Sequence, residues 1–130
     1  MTDNSLYDTP PVTGPVEPAS WLTVPEVAER LGLAVTRVHQ LFRDGNLIAV
    51  RRDGVLRVPA DLIAVDSDGR PAVVKHLSGV LTLLRDAGYE DEEILSWLYT
   101  ADQTLPGTPA QALRENRGTE VKRRAQAAGF

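Results

Sequence analysis

The chain has 130 residues, 42% of them hydrophobic, with 18 acidic and 14 basic side chains, a formal charge of -4 and no cysteine. This length favours one domain or two small ones sharing a core, and the absent cysteines exclude a disulfide scaffold, a zinc ribbon and a thiol nucleophile. No apolar run approaches the ~20 residues that span a bilayer, and residues 1–10 lack the basic flank and apolar stretch of a secretion signal, so a cytoplasmic protein is expected.

Residues 1–20 carry Pro10, Pro11, Pro15 and Pro18, three acids, no base and no apolar period, and read as a disordered tail. Thr23 with Glu26 then forms a capping box, and Pro25 falls in the first turn, where its missing N–H costs little. Val24, Val27, Ala28 and Leu31 line one face of the helix this starts, and Gly32 stops it. A second helix over residues 35–44 is expected to bury Val35, Val38, Leu41 and Phe42 and to end at Gly45. The Gly32-Leu33-Ala34 turn between them makes a helix-turn-helix signature.

Beyond Gly45 the period becomes strand-like at Leu47, Ile48 and Val50 and again at Val55, Leu56 and Val58, with Asp53-Gly54 between as a hairpin turn. Pro59 ends the second strand, residues 60–64 allow one helical turn, and Asp68-Gly69 tips another turn before Val73 and Val74. The rest reads as helical. Ser78 is a candidate N-cap for Val80, Leu81, Leu83, Leu84 and Ala87, with Gly88 past the end; Glu90 to Glu93 open a helix facing inward through Ile94, Trp97, Leu98 and Ala101. Thr108-Pro109 starts one carrying Ala112 and Leu113, and Thr119 one running through Val121 and Ala125. The expected fold is mainly α with a small two-stranded β wing: a winged helix-turn-helix over residues 21–65 with a helical module over 66–130 packed on it, its core built around the two tryptophans.

Charge is segregated along this plan. From Arg30 to Arg57 six arginines (Arg30, Arg37, Arg43, Arg51, Arg52, Arg57) face only Asp44 and Asp53. On the second helix, Thr36, Arg37, Gln40 and Arg43 lie opposite the apolar face. Arginine suits guanine, glutamine suits adenine and threonine suits either, so this set fits a helix in a major groove. Arg51 and Arg52 at the hairpin tip and Arg57 on the return strand fit a wing on the DNA backbone or minor groove. Arg114, Arg117, Lys122, Arg123 and Arg124 form a second strip, for phosphate, for a protein partner, or simply solvated. An enzyme is not expected: His39 and His76 are isolated, and no glycine-rich phosphate loop, G-x-S-x-G or H-E-x-x-H occurs. The acids of residues 90–93 are explained by a helix dipole, so neither a metal nor a cofactor is expected.

Residues 22–62, LTVPEVAERLGLAVTRVHQLFRDGNLIAVRRDGVLRVPADL, resemble the winged helix-turn-helix of the MerR-like and excisionase-like group. Residues 21–130 are similar to a small actinobacterial family of DNA-binding proteins associated with Ser/Thr protein kinases, through VAERLG, DGNLIAVRR, VVKHLSGVLTLLRDAGY, EILSWLYTADQTLPGTPAQAL and EVKRRAQAAGF. The resemblance implies a nucleoid-associated regulator of transcription that binds double-stranded DNA. It also implies a kinase partner acting on the tail, where Thr9, between Asp8 and Pro10, and Thr13 are the candidate phosphorylation sites. Nothing after residue 65 sustains heptads, so the coiled-coil dimerisation and ligand sensing of MerR regulators do not carry over. Trp97, Leu98, Leu105, Gly107, Pro109, Leu113 and Val121 also resemble the toxin-binding part of certain antitoxins, which implies instead an antitoxin or adaptor whose C-terminal helices bind a protein.

Overall fold

The computed structural model describes residues 18–101 and 107–129; Leu105 and the tail sites Thr9 and Thr13 lie outside them. Among the described residues the chain forms β1 (Trp21–Thr23), α1 (Val24–Leu31), α2 (Val35–Arg43), β2 (Val50–Arg52), β3 (Val55–Pro59), a 3-10 turn (Ala60–Leu62), β4 (Ile63–Val65), β5 (Pro71–Val73), α3 (Leu77–Asp86), α4 (Asp91–Leu98), α5 (Pro109–Arg114) and α6 (Gly118–Ala128). This is a mainly α fold with a β wing.

Local chemistry sets the helix-turn-helix as the sequence predicts. The Thr23 hydroxyl accepts from the Glu26 N–H at 3.3 Å, and the Glu26 carboxylate accepts from the Thr23 N–H at 2.7 Å. That second bond is the main reason the Glu26 carboxyl sits below its usual range. Gly32, at φ 67, ends α1 in a left-handed cap. Val27 and Val38 are fully buried where α1 meets α2. Val35 is not: it is 43% exposed. It is the first residue of α2, and because helical Cβ atoms tilt toward the N-terminus, its side chain projects past the helix end.

The expected wing hairpin forms from β2 and β3, and β1, not expected as a strand, adds to it in a three-stranded sheet of order β1-β3-β2. Trp21 pairs with Pro59, Leu22 with Val58 and Thr23 with Arg57, while β2 and β3 close on a turn with Asp53 at φ 56 and Gly54 at φ 79. Both central residues are left-handed, the turn geometry that matches strand twist. Leu47 and Ile48, expected in a strand, are instead a fully buried connection. Pro18 is buried and the Ser20 carbonyl accepts from the Ala60 N–H at 3.0 Å, so residues 18–20 belong with the fold. Only residues 60–62 turn helically; Ile63 and Ala64 join β4, which pairs with β5 in a second hairpin. Its turn is tied by the Asp66 carboxylate, which accepts from the Asp68 and Arg70 N–H groups at 2.9 and 3.0 Å.

Two helices of the second half, α3 and α6, start slightly earlier than the sequence suggests. His76, at φ 73, precedes α3, and α6 begins at Gly118. A Cβ on Gly118 would collide with the His76 ring, so these two helix starts fit only with glycine there. Glu93 accepts from the Glu90 N–H at 2.9 Å to cap α4, and Thr108 accepts from the Gln111 N–H at 3.2 Å to cap α5. Ile94, Leu95 and Leu98 are the inward residues of α4; Trp97 is half-buried and Ala101 exposed. The core is therefore not built around tryptophans. It is one continuous aliphatic cluster joining Val27, Val38, Leu47, Val58 and Leu62 of the first half to Leu77, Leu81, Leu84, Leu98, Leu113 and Val121 of the second. Trp21 and Trp97 flank it.

Candidate nucleic-acid interface

Burial of Val38 against α1 turns the opposite face of α2 outward, and there Thr36, Arg37, Gln40 and Arg43 are all exposed. Arg37 and Gln40, three residues apart, share a helical face. Arg37 and Arg43 have no ion-pair partner among the described residues, which leaves their donors to solvent. His39 stands edge-on to Phe42 with ring centroids 5.7 Å apart. Arg30 is exposed in the last turn of α1, where the helix dipole favours a cation.

The wing separates its arginines. Successive strand residues point to opposite faces, so Arg51 and Arg52 diverge. Arg51 is exposed, its Nη1 donating to the Gly54 carbonyl at 3.2 Å across the turn. Arg52 lies over the Trp21 ring, with its guanidinium carbon 5.2 Å from the ring centroid. Its two terminal nitrogens donate to the Glu92 carboxylate at 2.8 and 3.2 Å. Arg57 shares that face, half-buried, its Nε donating to the Arg52 carbonyl at 3.5 Å. Arg52 and Arg57 are thus brought together, and Arg51 alone reaches out from the other side.

The second basic strip is also divided. Arg114 donates to the Asp61 carbonyl at 2.9 Å, and the Tyr99 hydroxyl donates to the Asp61 carboxylate at 3.1 Å, so α4 and α5 both grip the 3-10 turn. Burial first, then the neighbouring Asp61 charge, push the Tyr99 phenol well above its usual range, keeping it a donor. Arg117 donates to Glu115 at 2.6 Å. The Lys122 side chain lies across Gly79 of α3, with Lys122 and Arg123 exposed and Arg124 half-buried.

The acidic run at α4 has uses besides the dipole: Asp91 pairs with Arg85 at 3.2 Å and Glu92 with Arg52 at 2.8 Å. Sequence reasoning missed Trp21 and Glu92 as partners of Arg52. Among the described residues no three His, Cys, Asp or Glu side chains form a metal-binding group, and no helix is long and apolar enough to cross a membrane.

Two family models match the chain: "DNA-binding protein Rv2175c, wHTH domain" over residues 13–63, and "Rv2175c C-terminal domain of unknown function" over residues 74–129. A curated relative, the DNA-binding protein Rv2175c of Mycobacterium tuberculosis, is 40% identical over 131 residues, covering 92% of this chain and 86% of the relative. The NMR structure of Rv2175c is similar to this one with a TM-score of 0.75 at 39% identity, covering 93% of this chain and 87% of that one.

Proposed function

For a chain that belongs to the Rv2175c family of winged helix-turn-helix DNA-binding proteins, we propose that α2 reads the major groove of double-stranded DNA and that the protein regulates transcription, without enzymatic activity, metal or cofactor, at the nucleoid. The observation that carries this reading is the exposed, outward set of Thr36, Arg37, Gln40 and Arg43 on a helix anchored by Val38. The MerR-like and excisionase-like resemblance supports the same use of helix and wing. Arg51 is the wing's phosphate contact in this reading. Mobility-shift titration of genomic fragments against random competitor tests it: Arg51→Ala should weaken binding to all sequences alike and lower the salt slope by about 1. An unchanged slope would place the wing away from the phosphates.

Regulation belongs to the tail. A Ser/Thr kinase modifying Thr9 or Thr13 adds about -1.5 to -2 charge to a segment already bearing three acids and no base. Such a tail competes with DNA phosphates for the arginines of the wing or for Lys122, Arg123 and Arg124. Phosphorylation, or Thr9→Glu, is expected to weaken DNA binding while leaving the fold intact. The measurement compares affinities of the full chain, the phosphorylated chain and a chain begun at Pro18 at low salt, where screening is least; equal affinities for all three would refute the switch.

One observation favours a protein partner as well. Tyr89, Ser96, Trp97 and Thr100 line an open groove along α4, on the helical module that the antitoxin or adaptor reading assigns to a partner. Co-purification of a partner lost on Trp97→Ala, with DNA binding intact, would establish that second role.

A further inference from the structure

The first turn of α2 departs from what helix stability alone would choose. Ala34 is its N-cap and forms no side-chain cap bond, at a position where Ser, Thr, Asp or Asn is preferred. Val35 follows at the first helical position, and at 43% exposure it keeps much of its apolar surface in water. Ala34, Val35, Thr36 and Arg37 are four exposed residues in succession, and the next, Val38, is fully buried. Val38 thus fixes the helix while the turn before it stands clear of the core. Of the large apolar side chains exposed among the described residues, Val35, Val55 and Val65, Val35 alone lies on this helix, beside Thr36 and Arg37.

We propose that Val35 is a specificity-determining residue that packs on the 5-methyl group of a thymine in the major groove. The inference rests on the reading of α2 as the helix in that groove, and it names a base that its first turn selects. Among the four bases only thymine presents a methyl there, and apolar side chains are its match. A helix-turn-helix brings the N-terminal residues of its second helix to the base edges. Helical Cβ atoms tilt toward that same end, so the Val35 methyls project ahead of the helix, toward the bases. Arg37, two residues on, supplies charged donors, while Val35 supplies an apolar surface that favours thymine over cytosine. The contact carries no charge, so it adds preference without adding salt dependence.

Selection from random duplexes gives the preferred site, and deoxyuridine then replaces each of its thymines in turn, which removes only the 5-methyl group. One replacement, next to the bases whose preference Arg37→Ala relaxes, is expected to weaken wild-type binding about fourfold, equivalent to the ~0.8 kcal/mol of one buried methylene. Val35→Ala should weaken binding to the thymine site by at least as much and be indifferent to that replacement. Alanine forms helix better than valine, so the variant should keep the melting temperature of wild type, and its salt slope should be unchanged. The proposal is overturned if no deoxyuridine weakens binding, if the preferred site has no thymine beside the bases that Arg37 selects, or if Val35→Ala remains as sensitive as wild type. A site relaxed by Arg37→Ala yet indifferent to every deoxyuridine would sink this inference alone. Selection that enriches no sequence would sink base reading by α2 with it, and protein that binds no duplex would sink the DNA-binding reading itself.

Discussion

Leu84→Ala is expected to destabilise the protein by about 2–5 kcal/mol, a large part of the ~5–15 kcal/mol available to a domain. Leu84 is fully buried on α3, which packs against both α4 and α6, and it belongs to the cluster that also holds Val27 and Val38 beneath α2. Truncating it leaves a cavity between helices whose caps and joints oppose collapse. Denaturant unfolding followed by circular dichroism should show the loss as a lower midpoint, with DNA binding failing in the same transition. Trp97→Ala should cost less, because the ring is only half-buried beside an open groove. A Leu84→Ala protein as stable as wild type would mean that the two halves are not held by this core.

Replacing Arg37 or Gln40 with alanine is expected to cost about 1–3 kcal/mol on a specific site and to relax sequence preference there. Both side chains are exposed on the outer face of α2, on a helix fixed by Val38 and by the Gly32 turn. Nothing in the fold depends on them, so the loss should appear in binding and not in melting temperature. Competition titrations on a specific and a scrambled duplex make the measurement. Equal losses on both would show that α2 touches backbone rather than base edges.

What was legible in the sequence was whatever a few neighbouring residues decide. Thr23 with Glu26, Gly32, Asp53-Gly54, Gly88 and Thr108 each fix a cap or a turn within three or four positions, and each does so in the structure. The outward set on α2 followed from helical period alone. The rest needed partners far along the chain. β1 is three residues without alternation, and only its pairing with β3 makes it a strand. β4 and β5 are equally short and exist through each other. On α4 the period allowed Trp97 or Leu95 inward, and tertiary packing chose Leu95. The wing arginines looked equivalent because charge counting ignores strand alternation; Arg52 was claimed by Trp21 and by Glu92, forty residues away.

The continuous aliphatic cluster also bears on inheritance. The two family matches meet between residues 63 and 74, a natural place to divide the sequence, yet the core crosses that boundary through Leu62, Val74 and Leu77. Recombination that carried either half to a new gene would deliver a helix-turn-helix or a helical module with one apolar wall bare. Such a fragment gains nothing until it meets a matching surface. The helix-turn-helix and the module behind it are therefore two halves of one core, each incomplete without the other's apolar wall.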